Sequence, residues 1–416
     1  MHPRSSFRSR SIPTFSRCSA LLILLAPFSA PGQVTEEEAV QRALARPEIR
    51  DIVEGEIDAA RGDAIRAGMW SNPTASYSRE QVYGGPAASA ENYVELSQAV
   101  DISGRRSLRG QAGDRRVEAA RERGVSTRLG VETEVRSSFY EVVAGEARLA
   151  ALRDSLRRVE RLAEATAQRE KAGDASGYDR MRLERERESV AARAAAQDGQ
   201  LERARARLEG LLGVTAPVRV AGTLLPADAP PPTETLVAKI GARPDLKALG
   251  EEAGAGDLEA RAAGRWWIPD LTLTAGYKGV GVAGEQLNGY VAGIAIPLPV
   301  FDRNQDEAAR AEGRSRQARG RLTLETDMAT ADVRGLRIQA ARLADAARRF
   351  RSDATATSSR LLATAEAAYR GGELGVLELV DAQRSALDAD LQAIDLESAA
   401  RRARIDLALA SGGASR

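Results

Sequence analysis

Residues 329–368 read ATADVRGLRIQAARLADAARRFRSDATATSSRLLATAEAA. Within them Ala329, Val333, Leu336, Ala340, Leu343, Ala347, Phe350, Ala354, Thr357, Leu361, Thr364 and Ala368 alternate steps of four and three. Earlier in the chain Val131, Val135, Ser138, Val142, Gly145, Leu149, Leu152, Leu156, Val159, Ala163 and Thr166 do the same. Such steps average 3.5 residues, the period that holds one seam against a partner while helices supercoil left-handedly. No proline interrupts 104–173 or 302–371. Each stretch therefore reads as one helix of about 65 residues, roughly 100 Å long. No ordinary globular core accommodates such a rod, and two matched rods in one chain point to a repeat.

The flanking segments repeat as well. Ala45-Arg46-Pro47-Glu48-Ile49 returns as Ala242-Arg243-Pro244-Asp245-Leu246, and Ala67-Gly68-Met69-Trp70 returns as Ala263-Gly264-Arg265-Trp266. Each long helix ends at a glycine turn, Lys171-Ala172-Gly173-Asp174 in the first half and Gly371-Gly372-Glu373-Leu374-Gly375 in the second. A return helix follows, marked in the first half by Leu183, Val190, Ala194, Gln197, Leu201, Ala204, Leu208 and Leu211. Thr35-Glu36-Glu37-Glu38 has the form of a capping box that starts a further helix, and Pro47 breaks it. The five prolines between 215 and 233 read as an extended linker. The units expected are a first repeat at 33–213, the linker at 214–233, a second repeat at 234–412 and a tail at 413–416.

Between helices the period changes to two. Val94, Leu96, Gln98, Val100 and Ile102 alternate with Tyr93, Glu95, Ser97, Ala99 and Asp101, the signature of a strand. Further strands are expected at 74–83, 271–280 and 290–298. Leu96, Val100, Leu273 and Ile294 are expected on a lipid side, with Glu95, Ser97, Thr272 and Thr274 on a lumenal side. A strand of about ten residues suffices to cross a membrane at a tilt. Four strands cannot close a barrel, and a bilayer tolerates no open sheet edge. Three chains would supply twelve strands and a closed wall. Trp70, Trp266 and Trp267 precede strands, and Tyr77, Tyr83, Tyr93, Tyr277 and Tyr290 lie in them. In a chain of 4% aromatic residues this placement is that of an interfacial girdle. The expected fold is mostly α with a membrane β-barrel portion, built from a duplicated helix, hairpin, long helix and return helix.

Composition narrows the chemistry. Residues 1–32 hold four arginines, an apolar run from Ala20 to Ala26 and no acid, and read as a secretory signal. The formal charge of +1 becomes −3 without those four arginines, which leaves no concentrated basic face for nucleic acid. His2 and Cys18 are the chain's histidine and cysteine, so the processed chain has neither. Thiolate or imidazole metal sites and Cys/His or Ser/His catalysis are thereby excluded, and no cofactor is expected.

Ile296-Pro297-Leu298-Pro299-Val300-Phe301-Asp302-Arg303-Asn304 resembles the strand-to-helix junction of the TolC-like outer-membrane efflux proteins. Gly372-Glu373-Leu374 with Leu377-Glu378-Leu379-Val380-Asp381-Ala382-Gln383 resembles the same family's periplasmic tip and last helix, in the branch that serves heavy-metal and multidrug pumps. The resemblance implies a homotrimeric conduit in the outer membrane, docked on a periplasmic adaptor and an inner-membrane transporter, with no covalent chemistry. A gate would then lie where the helix pairs turn, with Asp174, Asp179, Glu373, Glu378 and Asp381 as candidates. Gly173, Gly372 and Gly375 suit the turn backbone, and Leu374 and Val376 are candidates for adaptor docking. Two alternatives stay open: a conduit for a type I protein secretion system, and a periplasmic coiled-coil adaptor without a pore.

Overall fold

The computed structural model describes residues 33–84, 89–282, 284–298, 300, 301, 303 and 305–413. The signal-like segment 1–32, the hairpin loop 85–88, residues 414–416, and Pro299, Asp302 and Asn304 of the junction motif lie outside the described residues. The described residues begin with α1 (Glu36–Leu44) and α2 (Pro47–Gly68), then β1 (Thr74–Val82) and β2 (Ser89–Val100). The long helix α3 (Arg105–Ala172) follows, and α4 (Gly177–Leu212) returns alongside it. The second half repeats the order. It runs through α5 (Thr233–Val237), α6 (Pro244–Ala263), β3 (Leu271–Val282) and β4 (Glu285–Ala295) to a second rod and α9 (Val376–Ala410). The capping box at Thr35 is formed, with Glu38 and Thr35 exchanging side-chain and backbone hydrogen bonds, and Pro47 opens α2. β4 starts five residues before the expected Tyr290 and ends at Ala295 instead of Leu298.

α3 is 68 residues long, about 100 Å, and its two ends have different neighbours. Toward the sheet it packs between α2 and α6, with α7 (Gln305–Arg349) beyond α6; away from the sheet it packs between α4 and α9. The stripe that makes this possible is the 3.5-residue seam: Val135, Ser138, Val142, Gly145, Leu149, Leu152, Val159, Ala163 and Thr166 are all buried. Phe139, Val142 and Leu149 share one core with Ala39 and Val40 of α1, Leu201 and Leu208 of α4, and Ile394 and Ile405 of α9.

The second rod departs from the expected seam. Ala329, Val333, Ala340 and Ala347 are buried as the period requires. Beyond them, Phe350–Thr355 is wound as a π-helix before α8 (Ala356–Gly371) resumes the α form. A π turn inserts one residue into the helical count. The stripe accordingly moves on by one: Leu362 and Tyr369 are buried, whereas Leu361 is exposed. The linker also differs from a free tether. Val218, Val220 and Leu224 are buried, Val220 bridges to Val34, and the Arg401 guanidinium donates to the carbonyls of Thr223, Leu224 and Leu225. Apolar residues interspersed among the prolines outweigh the extended tendency of the prolines themselves.

The repeated Arg-Pro-acid motif has a mechanical role. Arg46 Nη1 donates to the carbonyls of Gly210 (2.7 Å) and Leu211 (3.2 Å), at the end of α4. Arg243 Nη1 donates to the Ala410 carbonyl (3.0 Å), at the end of α9. Glu48 and Asp245, two residues on, hold the two guanidinium groups in place. A cation thus satisfies the orphan carbonyls at the negative end of each return helix. Arg243→Ala should lower stability by about 1–3 kcal/mol, the cost of leaving such groups unpartnered, read as a fall in the thermal midpoint of the detergent-solubilised protein. An unchanged midpoint would rule out the clamp.

Candidate functional site: sheet face and helical tip

The four strands form one antiparallel sheet in the order β1-β2-β3-β4, so the two halves join through the β2–β3 pair and both edges, β1 and β4, are unpaired among the described residues. The register sorts side chains by row. Tyr77, Val94, Tyr277 and Tyr290 stand in one row on one face, and Ala75, Leu96, Ala275 and Ala292 stand in another row of that face. Val100, Leu273 and Ile294 share this face, while Glu95, Ser97, Thr272 and Thr274 share the opposite one, where Ser97 and Thr274 are hydrogen-bonded at 3.0 Å. Tyr93, grouped in the sequence with the girdle tyrosines, lies on that polar face. Its hydroxyl donates to Glu91, and the Lys278 ammonium sits 4.9 Å from its ring. The spacing explains this: Tyr93 is an even step from Glu91 and Glu95, and an odd step from Val94.

At the sheet-to-helix junction Trp70 and Trp267 are exposed and Trp266 is half-buried. Arg106 donates to the Gly68 carbonyl (2.8 Å) and stacks 4.0 Å from the Trp70 ring centre; Arg303 stands 5.9 Å from Trp266 in the second half. Asp101 anchors the start of α3 by accepting from the backbone N–H groups of Ser103, Gly104 and Arg106 and from the Ser103 hydroxyl. Partial burial would raise its carboxyl, but these four donors outweigh it and hold the group below the usual carboxylate range. Arg105 pairs with Asp270 at 3.0 Å and Arg265 donates to the Ser103 carbonyl at 2.7 Å, tying the halves together where strands become helices.

At the other end of the rods the two turns are near copies. Gly173 and Gly372 have φ of +89° and +78°, a left-handed conformation that glycine alone adopts without a Cβ penalty. The next N–H in each, from Asp174 and Glu373, donates back to the carbonyls of Arg169 (2.8 Å) and Ala368 (2.9 Å). Gly375 lies in the extended region at the start of α9. Below the turns Ala163, Leu183, Tyr369, Val376, Leu379 and Val380 form a small core, and Thr166 Oγ1 lies 2.7 Å from the Tyr369 hydroxyl within it.

This geometry divides the tip residues picked out by sequence. Asp174, Glu373, Glu378 and Asp381 are exposed, whereas Asp179 is half-buried and accepts a hydrogen bond from the Ser176 hydroxyl at 2.7 Å as part of the α4 cap. Leu374 is half-buried. Val376 is only 4% exposed and belongs to the tip core, so it offers no side chain to a partner; the α9 seam begins at this residue and not after it. The exposed apolar groups are instead Tyr178 (65%), Met181 (56%) and Leu377 (54%), none of them among the docking candidates of the sequence. Leu377 stands one residue off the buried stripe of Val376, Val380 and Gln383, and that offset is the signal that would have found it.

The sequence profile of the family described as "Outer membrane efflux protein" matches residues 41–214 and 238–413, the two repeats in turn. The chain belongs to this family. Among curated relatives, the nickel-cobalt-cadmium resistance protein NccC of Alcaligenes xylosoxydans xylosoxydans is 28% identical over 340 residues, covering 77% of this chain and 74% of that protein. The cobalt-zinc-cadmium resistance protein CzcC of Cupriavidus metallidurans is 24% identical, covering 88% and 87%. Among solved structures, CusC superposes with a TM-score of 0.76 at 20% identity, covering 91% of this chain and 92% of its own. VceC of Vibrio cholerae gives 0.76 at 18% identity, covering 91% and 96%. The outer membrane efflux protein described here is therefore a channel and not an enzyme, with its sheet in the outer membrane and its long helices in the periplasm. The pore-free adaptor alternative falls with that membership. Channels of this kind work with an adaptor and an inner-membrane transporter.

The tip core and the junction each yield a measurable expectation. Val376→Ala should cost about 1.5–3 kcal/mol of stability, the worth of a fully buried valine, and Leu377→Ala close to nothing; equal effects on the thermal midpoint would contradict the assigned stripe. The folded Asp101 carboxyl lies below its unfolded value of about 3.9, so its stabilisation is present above that pH and lost as pH falls through the folded value. Between pH 5 and 3 the midpoint of the wild type should fall more steeply than that of Asp101→Asn, and parallel curves would count against the junction.

Proposed function

We propose that three copies of this chain close a twelve-stranded wall by pairing β1 of one with β4 of the next, and that the resulting duct discharges divalent transition-metal cations. The observation that carries the assembly is the pair of unpaired sheet edges, which a bilayer does not tolerate. The cargo reading is supported by the nickel, cobalt, zinc and cadmium in the names of the relatives. It is supported also by the acids of the polar sheet face, Glu80, Glu91, Glu95 and Glu285, against a single Lys278. In this reading the face bearing Leu96, Val100, Leu273 and Ile294 meets lipid.

The exposed Asp174, Glu373, Glu378 and Asp381 form acidic rings at a periplasmic aperture, with Asp179 contributing its cap. Two unit charges 4 Å apart repel by about 4 kcal/mol at an effective dielectric of 20, so such a ring binds cations or takes up protons. Gly173, Gly372, Gly375 and Leu374 shape the surface that meets the adaptor, together with the exposed Tyr178, Met181 and Leu377. The delivering partner is a metal-exporting inner-membrane transporter.

Single-channel recording in planar bilayers tests the reading. Alanine at each exposed tip acid in turn should raise conductance and weaken block by divalent cations; wild-type behaviour in every variant would remove the acids from the gate. Cysteines at Leu96 and Ile294 should resist a membrane-impermeant thiol reagent while cysteines at Glu95 and Thr274 react. Equal labelling would overturn the facing.

A further inference from the structure

The two faces of the sheet differ in charge as well as polarity. All four acids of the strands, Glu80, Glu91, Glu95 and Glu285, lie on the lumenal face with Lys278. The opposite face carries one charge, Arg79, and no acid on any of the four strands. Arg79 is exposed, and among the described residues its Nη2 reaches a single weak acceptor, the Gln81 side chain at 3.5 Å.

Its height on the sheet matters. Arg79 shares a row with Asn92, Gly279 and Asn288, the row next to the tyrosines on the side of the hairpin ends. The Tyr77 hydroxyl donates to Asn92 at 3.1 Å and the Tyr277 hydroxyl donates to Asn288, so both rings aim their polar ends at that row. Below them the face is apolar through Ala75, Leu96, Ala275 and Ala292; the row above holds Gln81 and Gln286. The hairpin ends lie opposite the helices, which puts the Arg79 row on the cell-exterior side. A neighbouring copy paired edge to edge brings the acid-free face of β4 beside it and supplies no carboxylate.

We propose that Arg79 and its row seat phosphate groups of outer-leaflet glycolipid headgroups. Charge complementarity carries this at the height where aromatic rings give way to polar side chains: a guanidinium on an acid-free face, with no carboxylate partner among the described residues, offers planar donors that match phosphate oxygens. The inference rests on the lipid-facing assignment made above.

The test uses the purified protein in phosphatidylcholine nanodiscs doped with lipid A, either phosphorylated or stripped of its phosphates, with bound glycolipid counted by native mass spectrometry. Wild type should retain the phosphorylated form about fivefold better per site, the effect of one cation at a membrane surface. Arg79→Gln should bring that ratio to about one, while Lys278→Gln leaves it unchanged. A wild type that does not discriminate, or an Arg79→Gln variant that still does, overturns the proposal. Loss of discrimination in Lys278→Gln alone would show that the lipid and lumenal faces are exchanged.

Discussion

A helix of 68 residues can keep one stripe against its neighbours only if apolar positions recur every 3.5 residues. Everything else in this chain is arranged around that requirement. α3 meets it from Val135 to Thr166 with no change of helix type, and serves as the common member of two packing layers, α2 and α6 at one end and α4 and α9 at the other. Buried alanines, glycines and serines along the seam let the rods approach closely. The polar remainder of each helix is covered by arginine–carboxylate pairs that contribute little one by one.

The second rod meets the same requirement by different means. Its π segment resets the phase, and the rod is fastened there: Arg351, in that segment, makes a forked pair with Glu397 of α9 at 2.9 and 3.0 Å. Nearer the tip Arg384 pairs with the buried Glu186 of α4. Removing Arg384 would strand a buried carboxylate, at a cost well above the net worth of the pair itself.

Local pattern made most of the architecture readable. The α3 seam, the capping box at Thr35, the break at Pro47, the strand alternation around Val94 and the recurrence of Arg46-Pro47 at Arg243-Pro244 are all short-range signals. What escaped was long-range. A single inserted residue at Phe350–Thr355 leaves no mark in composition, so the 3.5-residue period points to Leu361 where Leu362 is the buried residue. The exposed turn beside Val376 points to an exposed side chain, but Leu183 and Tyr369 from distant segments cover it. The prolines of the linker are a local signal, whereas Arg401, some 177 residues away, holds it down.

The β2–β3 pair has a consequence for how the wall is made. It joins the two repeats within one sheet, so a pairing that separate half-chains would have to find by collision is made inside one molecule, at the effective concentration of a tether. Duplication and fusion thereby halve the number of encounters needed to close any ring of such units. They also release the two halves to diverge: each can specialise a different edge, one for leaving the chain and one for receiving the next, because neither edge must recognise itself.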